Sequence, residues 1–234
     1  GFWYNEDSAW NRGDAGAMSN TITRAEDAMR DADGRMTDGA GGVRDGIALK
    51  EWASAIEALA AGRQIILMRK GGIAEETREF RLEAPRFWLL PTYEHQREHL
   101  LKAEERPLIA RTQAERAAAG GALLIKAWAE AVRDLEVTDA ETLARLDRFH
   151  IWTGAFAEER LRWKRTKPLH VLVLRVHVLE EPVRIPHRES YAGCKSWVRL
   201  EDVPGDVRFR PALSDGEFRR LEAEILNALG LAAE

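Results

Sequence analysis

Four short islands hold the residue types able to do chemistry. They are Met68-Arg69-Lys70-Gly71-Gly72, Pro91-Thr92-Tyr93-Glu94-His95-Gln96, His150-Ile151-Trp152-Thr153 and Gly193-Cys194-Lys195-Ser196-Trp197. Each lies at or near the end of an apolar run, where side chains held from below by packed elements can converge. One shared cleft is the expectation. In it Arg69, Lys70 and Lys195 would hold phosphate, with Gly71 and Gly72 letting backbone approach an anion. Tyr93, Trp152 or Trp197 would stack on a base. Gln96 would read the base edge together with Glu94, His95 and His150, or those last three would handle protons in a reaction. The basic run from Arg160 to Lys167, with Trp163 embedded, suits phosphate contacts beside a stacking ring.

Two other chemistries compete. His95-Gln96-Arg97-Glu98-His99 has the H-x-x-E-H spacing. On a helix that spacing places both histidines on one face, with Glu98 able to activate a water. A third metal ligand would have to come from Glu158 or Glu159 on another element. None is evident beside the histidines, so no metal and no cofactor is expected. Cys194, next to Lys195, has the surroundings of a nucleophile served by His95 or His150; a lone strand cysteine is more often a small buried hydrophobe. Plain readings stand beside the sharp ones. His150 with Trp152 also fits a core pair, and Arg69-Lys70-Gly71-Gly72 a solvated hairpin tip. The basic run also fits a helix end whose cations face the dipole.

Composition narrows the class. The 234 residues carry a net charge of -4, unlike a globally basic nucleic-acid binder. Cys194 is the only cysteine, which excludes an intrachain disulfide and fits a cytoplasmic setting. No apolar run approaches the ~20 residues that span a bilayer. No basic-then-apolar leader opens the chain, and Met18 reads as a natural start. Residues 1–46 are rich in Gly, Asp, Ala and Asn and read as a disordered tail. Residues 47–210 read as one domain and 211–234 as a C-terminal amphipathic helix packed on it.

Hydropathy patterns supply the elements. Residues 48–61 read as a helix through Leu49, Trp52 and Ile56, closed by Gly62. Strands are expected over 64–68, 80–90 (stopped by Pro91), 122–137, 170–179 and 194–200, about five in all. Residues 94–102 read as a helix capped by Thr92, and 107–121 as a surface loop or helix. Further helices are expected over 140–146, 156–163 and 213–229, the last with a capping box from Ser214 and Glu217. The irregular alternation, with no glycine-rich phosphate fingerprint, argues against a Rossmann sheet. It favours α+β: a small mixed or antiparallel barrel with peripheral helices.

In order along the chain, Ala48-Leu49-Lys50-Glu51-Trp52, the four islands and Lys167-Pro168-Leu169 resemble the bacterial family called domain of unknown function 1802. The resemblance covers roughly residues 48–200. A second resemblance is to ASCH domains of the PUA-like superfamily, through Trp52 to Ile56, Gly62, Arg69 and the later run 168–185. It implies a PUA-like barrel that binds nucleic acid or a nucleotide-like ligand. Gln64 and Leu67 stand where that pattern has lysine and glutamate. A hydrolase acting on a nucleobase or nucleic acid, in one form with a metal at His95 and His99, is the alternative, and a protein-interaction module a further one.

Overall fold

The computed structural model describes residues 43, 46–70, 80, 82–163, 168–193, 195–203 and 207–231. Apart from Val43 and Gly46, the expected N-terminal tail lies outside the described residues.

Two long antiparallel strands form the spine: β4 (Leu123–Val137) and β5 (Leu169–Ile185). In β4 buried positions largely alternate with less buried ones, as a half-covered strand requires. Register shifts at Ile125/Ala127 and Ala131/Arg133 mark bulges that bend the pair. Around the spine lie β1 (Ile47–Trp52), β2 (Ile66–Arg69), β3 (Arg86–Thr92), β6 (Trp197–Arg199) and β7 (Phe209–Pro211). The order is β2-β5-β4-β3-β1-β6, with β7 also on β5. All pairings are antiparallel except β1 with β3.

The expected α+β class is the one observed, with seven strands rather than about five. The sheet is open but curls toward a barrel, and side chains bridge its two ends. Phe80 sits 5.5 Å from His170 of β5 and 5.9 Å from Trp197 of β6, ring centre to ring centre. Arg69 of β2 donates to the Lys50 carbonyl of β1 at 3.2 Å. These strands stand at opposite ends of the order.

The helices are α1 (Ala53–Ala60), α2 (Pro107–Ala118), α3 (Ala140–Ala144), α4 (Gly154–Arg162) and α5 (Asp215–Ala228). Consecutive strand residues feed two cores. Leu49 and Leu89 join the larger; Ala48, Trp88 and Leu90 join the smaller across the sheet. Burial on both faces explains the unbroken apolar run in β3. Phe218, Ile225 and Leu226 of α5 enter the larger core, and Ser214 with Glu217 forms its capping box.

Three expectations change. The helix expected over 48–61 is a strand followed by a helix. Leu49, Trp52 and Ile56 do fall at helical spacing, but residues 47–52 are paired on both edges, by β3 and β6, and pairing overrides local pattern. The helix expected over 94–102 is one 3-10 turn at Glu98–Leu100, and His95 has φ 68, outside the helical range. Pro91 does not stop β3; its missing N–H is tolerated, and the strand runs to Thr92. Gly62 does follow α1, at φ +68, where an added Cβ would meet the Leu213 side chain at 2.5 Å.

Candidate ligand site at the junction of β1 and α1

β1 runs into α1 without a loop, and Trp52 is the N-cap residue with no side-chain cap. The first turn of α1 contains no acidic residue. Its N–H groups therefore lack the usual local carboxylate.

Strand alternation sends Lys50 and Glu51 to opposite faces of the sheet. Glu51 is buried. Its Oε1 accepts from the Trp52 N–H at 2.8 Å, and its Oε2 accepts from Arg69 Nη1 at 3.1 Å. Thr92 Oγ1 donates to the Glu51 carbonyl at 3.1 Å, tying in the end of β3. Arg69, only 9% exposed, lies over the Phe80 ring at 5.6 Å. Arg160 of α4 donates to the Met68 carbonyl at 3.5 Å. Burial pulls its pKa down, Glu51 pushes it back up, and Arg69 lowers it. Lys70 is buried too; its Nζ donates to the Leu161 carbonyl in the last turn of α4, and burial lowers its pKa. Two arginines thus face one hydrogen-bonded carboxylate, and Lys70 is buried against the end of α4.

Polar atoms at the junction go without partners. The Ser54 N–H donates to Gln96 Oε1 at 3.0 Å, which leaves the Gln96 amide nitrogen facing away. Gln96 Nε2, Ser54 Oγ and Arg69 Nε are buried with no hydrogen-bond partner among the described residues. A wall of rings stands beside them. Trp52 lies 5.4 Å from Phe156 and 6.5 Å from Trp152, and Trp152 lies 6.2 Å from Phe156. Trp152 Nε1 is likewise unpartnered. His150, 5% exposed and 5.9 Å from Trp152, has both ring nitrogens unpartnered. Burial first, then the Lys102 charge, hold its pKa down to about 4, so it is neutral near pH 7. The wall is pinned by Gln64, whose Nε2 donates to the Ile66 carbonyl at 2.7 Å and whose Oε1 accepts from the Ile151 N–H at 3.0 Å.

The structure brings Arg69, Gln96 and Trp152 to this junction, with His150 beyond Trp152; Lys70, just past β2, is tied to the end of α4. It puts other candidates elsewhere. Tyr93 and Glu94 line a shallow groove of about 80 Å³ with Lys50, Arg116, His187 and Tyr191. There Arg116 lies over the Tyr93 ring at 4.7 Å, and burial raises the Tyr93 pKa. Trp197 is a core residue, stacked on Phe80 and edge-on to Phe87 at 5.0 Å. Lys195 is exposed. His95 and His99 are exposed and share no α-helical face, and no group of three His, Cys, Asp or Glu suited to a metal occurs among the described residues. Gly71, Gly72, Cys194 and residues 164–167 lie outside the described residues. Glu51, Trp52 and Ser54 are functional candidates that pattern reading missed. Their one signal is a carboxylate beside a tryptophan in an otherwise apolar stretch.

The fold and the junction define a barrel-like α+β domain with buried, unpartnered polar atoms where a strand becomes a helix. The chain belongs to the family described as Domain of unknown function (DUF1802), which matches residues 48–224. Solved structures of the ASCH protein from Zymomonas mobilis are similar to it. The unsubstituted protein matches at 14% identity and a TM-score of 0.38, over 77% of this chain and 96% of that one. A tyrosine-to-phenylalanine variant of it gives 14% identity and 0.40, over 77% and 98%. No curated protein matches by sequence. Among the described residues no helix is long and apolar enough to cross a membrane.

Proposed function

We propose that the chain binds a nucleic acid or nucleotide-like ligand at the β1–α1 junction, in a cytoplasmic setting. The observation that carries this reading is the meeting of two buried or half-buried arginines, one hydrogen-bonded carboxylate and a wall of three rings. Uncompensated buried charge is costly, and an anionic ligand would offset it. Arg69 and Arg160 hold the phosphate in this reading. Lys70 adds charge from the end of α4. Trp52 and Trp152 flank the base, while Gln96 and His150 face its edge. Tyr93 and Lys195 serve as outlying contacts for a longer strand.

The test is a tryptophan-fluorescence titration with short single-stranded RNA and DNA and with nucleoside monophosphates, at several salt concentrations. Arg160→Gln should reduce the salt slope by about one, through one fewer released counterion. Trp152→Phe should weaken binding with the slope kept, because stacking does not depend on net charge. Absence of binding to every probe at low salt would sink the reading.

A further inference from the structure

The groove on the other face of β1 is walled by pieces of chain far apart in sequence. Lys50 comes from β1, Tyr93 and Glu94 from just past β3, Arg116 from α2 and His187 from the segment after β5. Leu90, Leu123 and Tyr191 line it too, and all three are buried in the smaller core. Packed residues thus hold polar ones around one space of about 80 Å³. Pockets that take whole drug-sized molecules run to roughly 300–1,000 Å³, so this one suits a single compact group.

Charge says which group. The acids acting on Tyr93 are already taken: Glu57 and Glu115 both pair with Lys126, and Glu57 pairs with Arg111 as well. Arg116, half-buried, has the Tyr93 ring at 4.7 Å and no carboxylate partner among the described residues. Lys50 adds an ammonium, held at the Gly193 carbonyl at 2.7 Å. Glu94 is the one acid lining the groove among the described residues, and it is exposed. Burial raises the Tyr93 pKa, so its hydroxyl remains a donor near pH 7. Guanidinium, ammonium and hydroxyl all donate to phosphate oxygens, and the two cations favour a group that carries more than one negative charge.

We infer that this groove is a phosphate-group site, with Arg116 and Lys50 taking the charge and the Tyr93 hydroxyl donating to an oxygen. It stands apart from the nucleotide reading of the junction. A free phosphate ion and a phosphate along a strand that reaches over from the junction present the same oxygens to the groove.

The test follows the backbone N–H resonances of Tyr93 and Ala192 by NMR. The full chain is titrated with inorganic phosphate, with acetate and with a short single-stranded RNA, at constant ionic strength. Phosphate should move both resonances saturably and acetate should not. Arg116→Gln should weaken phosphate by about tenfold or more, the loss of one hydrogen-bonded charge. Arg219→Gln, which removes the same charge from an exposed position on α5, should leave phosphate binding unchanged. Glu94→Gln should tighten it by about two- to threefold, a gain that misfolding cannot mimic. RNA that displaces phosphate supports the site with a strand as its source; RNA that leaves phosphate in place supports it with the free ion. The inference is overturned if neither phosphate nor RNA moves the two resonances, or if acetate matches phosphate. Equal losses in Arg116→Gln and Arg219→Gln, or no gain in Glu94→Gln, also overturn it. The junction titrations decide the nucleotide reading separately.

Discussion

The two faces of β1 meet the same strand and behave differently. On the Glu51 face Glu51, Arg69 and Arg160 are buried or half-buried and the cations outnumber the carboxylate, while unpartnered buried polar atoms occur on both faces, Trp88 Nε1 and Trp128 Nε1 among those on the other. On the Lys50 face the groove is shallow, Lys50 Nζ rests on the Gly193 carbonyl at 2.7 Å, and Arg116 and Glu94 supply opposite charges near solvent. One position along a strand therefore decides whether a charge sits in the interior or near solvent. The contrast says where to look for function: a polar group costs most where water is absent, so the Glu51 face is the one whose arrangement demands an explanation.

The largest expected effect breaks that contrast directly. Glu51→Ala leaves Arg69 buried without its carboxylate and should destabilise by about 3–5 kcal/mol. Lys50→Ala should cost about 0.5–1.5 kcal/mol. Urea unfolding of the two variants measures both; equal losses would show the faces to be energetically alike.

Acid sharpens the contrast next. His150 on one face and His177 on the other are both held down to about 4 by burial. His177 is stacked on Trp128 at 3.9 Å and further lowered by Arg175 and Arg86. The unfolded chain takes up each proton near 6.5, the folded chain only near 4. Stability is therefore full above pH 6.5 and is lost as pH falls toward 4. The His150 share is up to about 3 kcal/mol. In melting temperatures followed from pH 7 to 4, His150→Phe and His177→Phe should each remove about half of the acid loss. A slope that survives in one variant would assign the effect to the other face.

A smaller effect concerns the brace. Gln64→Ala frees the Ile66 carbonyl and the Ile151 N–H and should cost about 1–3 kcal/mol. Hydrogen exchange at Ile151 should accelerate, while exchange in β4 beyond the junction holds. Smallest is the Arg116–Tyr93 stack on the open face, about 0.5–1 kcal/mol by a double-mutant cycle. A coupling above the Glu51 loss would invert the ranking of the faces.

Much of the fold was legible because its signals are local. Leu123–Val137 alternates, and Ser214 with Glu217 announces α5. Residues 48–61 misled because Leu49, Trp52 and Ile56 satisfy a helix equally well, and the partner that makes 47–52 a strand lies at Trp197–Arg199. That misreading also hid the site. Within one amphipathic helix, Glu51 and Ser54 look like ordinary solvated positions, whereas the observed junction buries both. Arg69, Gln96, His150 and Trp152 stood out by type alone. Trp197 stood out for the same reason, yet a ring between Phe80 and Phe87 is packing, and only the curl of the sheet reveals it. Likewise Tyr93 and Gln96, three residues apart in one island, part company because the chain turns at His95 through φ 68.

The pairing of β1 sets a schedule for synthesis. One of its edges is covered when β3 emerges from the ribosome, but the other stays bare until the far end of the domain is made, since Ile47 pairs with Arg199. Through most of translation, an edge carrying Ala48 and Leu49 is open to any strand that passes, including those of neighbouring nascent chains. The three residues of β6 then act as a late cover. A chain cut before Trp197 would keep most of its core and still be a candidate for chaperones, because a strand made late protects the first one made.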